Sequence, residues 1–244
     1  MALQLYGDLI SQPCRSVYIF LKKNNIPFEF KVVQLFEGEQ YSEEFQKINP
    51  LGKVPVLKEG DFVLTESAAI LTYLAESFHT PAHWYPTDLQ YRARVDEYLS
   101  WQHTALRPQA SKLFLLKALV PFVPGFLEPE ARLREAEDAL NQSLDQFDQK
   151  FLRDQLYLAG AEISLADVVA IVELMQPLGA GCDPLEGRVT LTAWRERVKT
   201  ALGKDLFDEV HESVMNAQQK LKWISQNQPA ALEGLVKIIQ KGEK

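Results

Sequence analysis

The sequence predicts a small α/β unit followed by an all-helical one. Three observations carry this. Strand-like and helix-like segments alternate over residues 1–80. The proline-bearing stretch "HTPAHWYPTD" (79–88) then breaks the alternation. Beyond it only helical periodicity occurs, with no repeat or low-complexity segment.

The elements follow in order. "LQLYGDLI" can form a short strand, and residues 13–24 read as a helix with Pro13 in its first turn, where a missing N–H costs little. Val17, Phe20, Leu21 and Asn24 share a face of that helix, three of the four apolar. "FEFKVV" (28–33) alternates as a strand does, and "SEEFQKI" (42–48) is a short helix opened by a capping serine, Ser42. "VPVL" and "DFVL" flank Lys58–Glu59–Gly60 as an antiparallel hairpin. A helix from Glu66 to Phe78 is apolar nearly all round, which predicts burial on more than one side. Residues 81–87 are the linker, and residues 88–244 form the helical domain.

Within that domain, "DLQYRARVDEYLSWQHTAL" carries a helical stripe that Pro108 interrupts or kinks. Residues 128–152 form a long amphipathic helix with Leu133, Ala136, Leu140, Leu144, Phe147 and Phe151 on one face. "ISLADVVAIVELM" (163–175) opens with a near capping box, Ser164 and Asp167, with Ile163 and Val168 at the staple positions. This is a folding device whose loss costs about 1 kcal/mol. Further helices are expected over 188–202, 205–223 and 229–240.

Composition excludes several classes. The chain has 244 residues, 46% hydrophobic and 24% charged, enough for real cores and too apolar for general disorder. A net charge of −7 and a pI of about 5.2 oppose nucleic-acid binding, while leaving room for a local pocket for a small anion. Cys14 and Cys182 make no disulfide framework and read as reduced thiols of a cytosolic protein. The four histidines are scattered without metal-ligand spacing, so no metal is expected. The first residues lack the pattern of a secretory signal. "LFLLKALVPFV" (113–123), the longest apolar run, is interrupted by Lys117 and Pro121, so no membrane association is expected.

Five segments together resemble the cytosolic glutathione transferases, most closely the theta class: "LYGDLISQPCRSVYIF", "NPLGKVPVLKEGDFVLTESAAILTYLAE", "HWYPTDLQYRARVDEYLSWQHTALR", "ISLADVVAIVELMQPLGAGC" and "EGRVTLTAWRERV". They cover almost the whole chain in the family's order, with residues 110–135 and the last ~25 residues divergent. The resemblance implies a thioredoxin-like N-terminal domain, an all-α C-terminal domain, a cytoplasmic homodimer, and conjugation of glutathione to small hydrophobic electrophiles. Alkyl halides, epoxides and activated sulfate esters are the implied substrates, with a glutathione-dependent peroxidase activity on organic hydroperoxides beside them.

The same resemblance implies a glutathione site. A cis peptide at Val54–Pro55 would present the Val54 backbone to the cysteinyl part of glutathione, with Lys53 near the glycyl carboxylate. Ser67 and the free N–H groups of its helix would take the γ-glutamyl carboxylate, and Glu66 would accept from the α-amino group. Gln40 stands where the theta pattern has histidine; it can donate to the glycyl carboxylate but adds no charge, which predicts weaker binding. Arg107 matches a cleft-facing position that would attract the thiolate or a leaving anion; a salt bridge on the helix surface is the other role open to it. Ile10, Leu35, Leu113–Phe114–Leu115, Trp223, Leu235 and Ile239 are candidates for the electrophile recess, with residues 226–244 as a lid.

Three groups compete for the chemistry in "LYGDLISQPCR". Glutaredoxin-like relatives place the reactive cysteine first, where this chain has Ser11, so Cys14 reads as a packing residue. Ser11 has no base to make it a nucleophile, but glutathione brings its own sulfur. A hydroxyl donating to the thiolate lowers the thiol pKa from near 8.5, and the helix N-terminus acts in the same direction. Tyr6 at the strand end is the rival donor. A non-catalytic assembly module is the alternative function, free to lose Ser11, Val54–Pro55 and Glu66–Ser67. A thiol–disulfide oxidoreductase lacks its leading cysteine.

Overall fold

The computed structural model describes residues 2–123 and 130–227. Its N-terminal domain is a four-stranded mixed sheet in the order β2-β1-β3-β4. Strand β1 (Leu3–Gly7) runs parallel to β2 (Phe28–Val32), with Leu5 opposite Phe30, and antiparallel to β3 (Val56–Glu59), with Leu5 opposite Leu57. β4 (Phe62–Leu64) closes the expected hairpin, Val63 opposite Lys58. The strand-like alternation of β1 divides its side chains between two layers. Leu3 and Leu5 enter the main core; Tyr6 packs on the other side of the sheet with Val33, Phe45 and Val56. There the short helix α2 (Glu43–Gln46) is capped as predicted, Ser42 Oγ accepting from the Phe45 N–H at 3.2 Å.

Helix α1 (Gln12–Lys23) is more deeply set than its amphipathic pattern predicts. Every residue from Cys14 to Leu21 is buried. The reason is tertiary: α1 lies between the sheet with α3 (Ser67–Ser77) on one side and helices α7 (Leu165–Gly179) and α9 (Lys204–Met215) on the other. Helix α3 differs in the opposite sense. Ile70, Leu71 and Leu74 are fully buried, but Ala68, Tyr73 and Phe78 are half-buried and Ala69 is exposed, so one side only is closed.

In the C-terminal domain, α4 (Leu89–Thr104) is capped by Asp88, which accepts from the Gln90 and Tyr91 amides. The break before α5 (Leu106–Phe114) falls at Ala105, three residues ahead of Pro108, which sits in the first turn of α5 where its missing N–H is not needed. Helix α6 (Glu130–Gln146) continues through a π-helical stretch, Phe147–Leu152, and buries the predicted stripe from Ala136 to Phe151. Helix α8 (Val189–Leu202) follows as expected, whereas the helix expected over 205–223 is two, α9 and α10 (Ala217–Asn227), divided at Asn216. The helix expected over 229–240 lies outside the described residues.

The predicted capping box at α7 is a larger anchor than its sequence implied. The fully buried Asp167 carboxylate accepts from Ser164 N, Ser164 Oγ and Leu158 N, each at 3.0 Å, and from Trp194 Nε1 at 2.9 Å. It ties the start of α7 to the 158 turn and to α8, as a buried carboxylate must be tied if it is to remain in a core.

Candidate active site

The turn between β1 and α1 is built by Asp8. Its carboxylate accepts from the Ile10 N–H (3.0 Å) and the Leu35 N–H (3.2 Å), and its carbonyl accepts from the Ser11 N–H (3.0 Å). Ser11 then occupies the N-cap position of α1 with extended backbone, φ −84° and ψ 124°. Its carbonyl accepts from Arg15 N, but its side chain caps no backbone amide. The hydroxyl is therefore not consumed by the helix. It lies beside the Cys14 thiol at the electropositive end of α1.

Cys14 is inert by environment. It is fully buried, and burial pushes its thiol up to about 12, with the Ser11 hydroxyl opposing the shift. The sulfur is packed under Gly7, where an added Cβ would stand 2.8 Å from Sγ. Tyr6 is turned away. Its side chain lies on the sheet face opposite α1, and its hydroxyl donates back along the strand to Gln4 Oε1 at 3.2 Å.

The segment following α2 holds the next group. Buried Asn49 donates to the Lys53 carbonyl (2.8 Å) and accepts from the Leu51 N–H (3.1 Å), which sets the course of 49–53. Gly52 suits this turn because its φ of 61° strains any L side chain, and a Cβ would also press on the Gln40 carbonyl and the Tyr41 ring, each at 3.2 Å. The Val54–Pro55 bond is cis, as expected. Lys53 is exposed, Val54 and Ser11 are half-buried, and Pro55 is buried. Gln40 is buried, and its Oε1 has no partner among the described residues. Glu66 precedes α3 at φ 65° and ψ 110°, a conformation rare for any residue but glycine, with its side chain exposed. Ser67, buried, opens the helix.

Arg107 is in a pair, and the pair is internal rather than on the helix surface. Its Nε donates to Glu173 Oε1 at 2.7 Å, with Glu173 fully buried, and its Nη1 lies 3.1 Å from His103 Nδ1. Around it, Arg107 Nη2, Glu173 Oε2, the Tyr98 hydroxyl and Gln102 Oε1 are buried without protein partners among the described residues. Burial, then the Glu173 and Asp167 charges, holds the Tyr98 phenol well above its usual range. Arg107 lies one turn before Ser111, whose Oγ accepts from Gln12 Nε2 at 2.7 Å, so the α5 face that carries Arg107 meets the first turn of α1.

Of the recess candidates, Ile10, Leu113 and Phe114 are buried, Leu35 and Leu115 half-buried, and Trp223 is 54% exposed. Leu235, Ile239 and nearly all of the 226–244 lid lie outside the described residues. Asp8, Arg15, Asn49, Glu173 and Gln176 escaped sequence reasoning. The one signal for Glu173 and Gln176 was a polar pair inside the apolar run "VVAIVELMQPL". Among the described residues no cluster of His, Cys, Asp or Glu could hold a metal ion, and no helix is long and apolar enough to cross a membrane.

A two-domain architecture with a serine at the N-terminus of its first helix and a cis-proline loop beside it defines a class, and comparison with known proteins agrees. Residues 5–82 match the family model "Glutathione S-transferase, N-terminal domain" and residues 111–200 match "Glutathione S-transferase, C-terminal domain". Glutathione S-transferase theta-1 of Gallus gallus is 50% identical over 238 residues, covering 90% of this chain and 91% of its own. Human glutathione S-transferase T1-1 in its apo form superposes with a TM-score of 0.94 at 46% identity, covering 100% of both chains. A human theta-class enzyme, solved in complex with the glutathione conjugate of 1-menaphthyl sulfate, superposes with a TM-score of 0.88 at 46% identity over 91% of each chain. The chain belongs to the glutathione S-transferase family, in its theta class.

Proposed function

We propose that the protein joins the thiolate of glutathione to small hydrophobic electrophiles, with Ser11 as the thiolate donor. The observation that carries this is the Ser11 hydroxyl itself: it stands at the N-terminus of α1 and caps no backbone amide. Glutathione loses its thiol proton on binding. Its sulfur attacks the electrophilic carbon as the carbon–halide or carbon–sulfate bond breaks, and the anion departs; with an epoxide, the opened oxygen takes a proton. A hydrogen bond that strengthens the thiolate lowers its pKa, each unit being worth about 1.4 kcal/mol. The buried Cys14 and the averted Tyr6 support assigning this donor role to Ser11.

In this reading Val54, beside Pro55, pairs its backbone with the cysteinyl part. Gln40 and Lys53 hold the glycyl carboxylate, and Glu66 and Ser67 hold the γ-glutamyl end. The uncommon φ of Glu66 supports a ligand at the γ-glutamyl end, and Gln40 would donate to the glycyl carboxylate through Nε2. Arg107, tethered by Glu173, is the cation this reading assigns to the thiolate or the leaving anion. The conjugate in the human theta-class structure supports a sulfate ester among the substrates, with alkyl halides, epoxides and organic hydroperoxides beside it. For a hydroperoxide, two glutathiones are oxidised to the disulfide while the substrate is reduced to an alcohol and water. Residues 1–80 form the glutathione domain, 81–87 the linker and 88–244 the domain completing the electrophile site, in a cytoplasmic homodimer.

Initial rates with glutathione and one member of each electrophile class test the proposal. Glutathione-dependent release of halide or sulfate is expected. A chain that neither binds glutathione nor turns over any member of the panel would refute it.

A further inference from the structure

We infer that Arg15 and Gln176 are positioning residues for this reaction: they clamp the Leu9 and Ile10 carbonyls to α7 and so fix the direction in which Ser11 presents its hydroxyl. The inference rests on the proposed role of Ser11.

Arg15 is fully buried one turn below Ser11, and its guanidinium spans the two domains. Nη1 donates to the Leu9 carbonyl at 2.8 Å and the Ile10 carbonyl at 3.0 Å. Nη2 donates to the Val172 carbonyl at 2.9 Å and to Gln176 Oε1 at 2.5 Å, both on α7. Gln176, itself 3% exposed, returns the contact: its Nε2 donates to the Ile10 carbonyl at 3.2 Å. The Ile10 carbonyl thus takes two donors, and it belongs to the peptide that joins Ile10 to Ser11. Its plane cannot rotate without breaking both. The N–H of the same peptide is held by the Asp8 carbonyl. Every polar atom of the peptide leading into Ser11 is therefore fixed, and one of its three hydrogen bonds, from Gln176, comes from the helical domain.

Packing alone does not explain an arginine here. A guanidinium in a dry layer carries a desolvation penalty that an apolar side chain of similar length avoids. Burial lowers Arg15 to about 10, with the nearby Glu173 charge opposing the shift. What the arginine adds is a planar fork that reaches two carbonyls on one side and two acceptors on the other, a geometry lysine lacks. The adjacent α7 residue Glu173 holds Arg107, so little more than one turn of that helix, residues 172–176, addresses both groups of the proposed site. Small displacements of such a donor matter, because a transition-state contact is sensitive to misplacement of about 1 Å.

The test is the thiolate absorbance of bound glutathione, titrated with pH in the full chain, with kcat, KM for glutathione and Tm measured alongside. Gln176→Leu is expected to raise the thiol pKa by about one unit and lower kcat about tenfold near pH 6.5, with KM for glutathione changed less than about twofold. In a Ser11→Ala background the same change should add almost nothing, because both act through one hydroxyl. If Gln176→Leu does not fold, Gln176→Glu gives the same readout: it keeps an acceptor for Arg15 and removes the donor to Ile10. A variant with lowered Tm but unaltered thiol pKa and kcat would overturn the inference, leaving Gln176 a purely structural residue. Ser11→Ala leaving the thiol pKa unchanged would instead overturn the underlying reading of Ser11.

Discussion

Two helix N-termini in the N-terminal domain are prepared in opposite ways. At α1 the approach is closed: Asp8 holds the turn amides, Arg15 and Gln176 hold the turn carbonyls, and Gln12 is tied to Ser111 on α5. At α3 the approach is open. Glu66 sits at φ 65° with its side chain exposed, and, as at α1, no side chain among the described residues caps the helix. The difference suits two tasks. A donor to a thiolate must be aimed in advance, since its worth depends on geometry at the moment of charge development. A cradle for a charged peptide end can be left unsatisfied, so that the ligand supplies the missing partners.

Changes at each end should break this contrast differently. Ser11→Ala at the closed end should lower kcat/KM roughly 100-fold near pH 6.5, as removal of one preorganised donor does, with Tm nearly unchanged; steady-state rates and a thermal melt check both. Glu66→Gly at the open end should act on binding and stability in opposite directions. Glycine relieves the positive φ, worth about 1 kcal/mol and a Tm rise of roughly 2–4 °C, while loss of the carboxylate raises KM for glutathione about tenfold. A fall in Tm would contradict the strain assignment.

Cys14→Ala should cost about 1–2 kcal/mol of stability through its cavity but change the rate less than about twofold. Its pH signature has a definite sign. The folded-state thiol, at about 12, lies above the ordinary value of 9.0, so the unfolded chain loses the proton first. The wild type should therefore lose stability relative to Cys14→Ala as pH rises from 9.0 towards about 12, read by denaturant melts across that range. Tyr6→Phe should have the smallest effect, under about twofold in kcat/KM, because among the described residues its hydroxyl serves Gln4 alone.

What the sequence made legible was local. Ser11 and Ser67 sit at helix starts that the residue pattern locates, the cis Val54–Pro55 bond followed from the resemblance, the positive φ of Glu66 had no signal, and the order of strands and helices followed from periodicity. Asp8 and Asn49 hold near neighbours in the chain and no motif marked them; the rest of what escaped was long-range. Arg15 reads as an ordinary helix residue until α7 is packed against it, and its partner Val172 is 157 residues away. Glu173 and Gln176 looked like interruptions in an apolar helix, with no local sign of the groups they hold. The depth of α1 was misread for the same reason, because an amphipathic pattern reports one covering layer and α1 has two. Arg107 shows the limit most clearly: the sequence marked it as a cation of interest but gave no sign of the buried carboxylate that tethers it.

The central claim is that Ser11, and not Tyr6 or Cys14, holds glutathione as a thiolate. The most direct measurement is the pH titration of the thiolate absorbance of bound glutathione in the wild type, Ser11→Ala and Tyr6→Phe. The expected result is a bound thiol pKa at least about one unit below the free value of near 8.5 in the wild type and Tyr6→Phe, and a return towards that value in Ser11→Ala. A lowered pKa that survives Ser11→Ala but is lost in Tyr6→Phe would contradict the account.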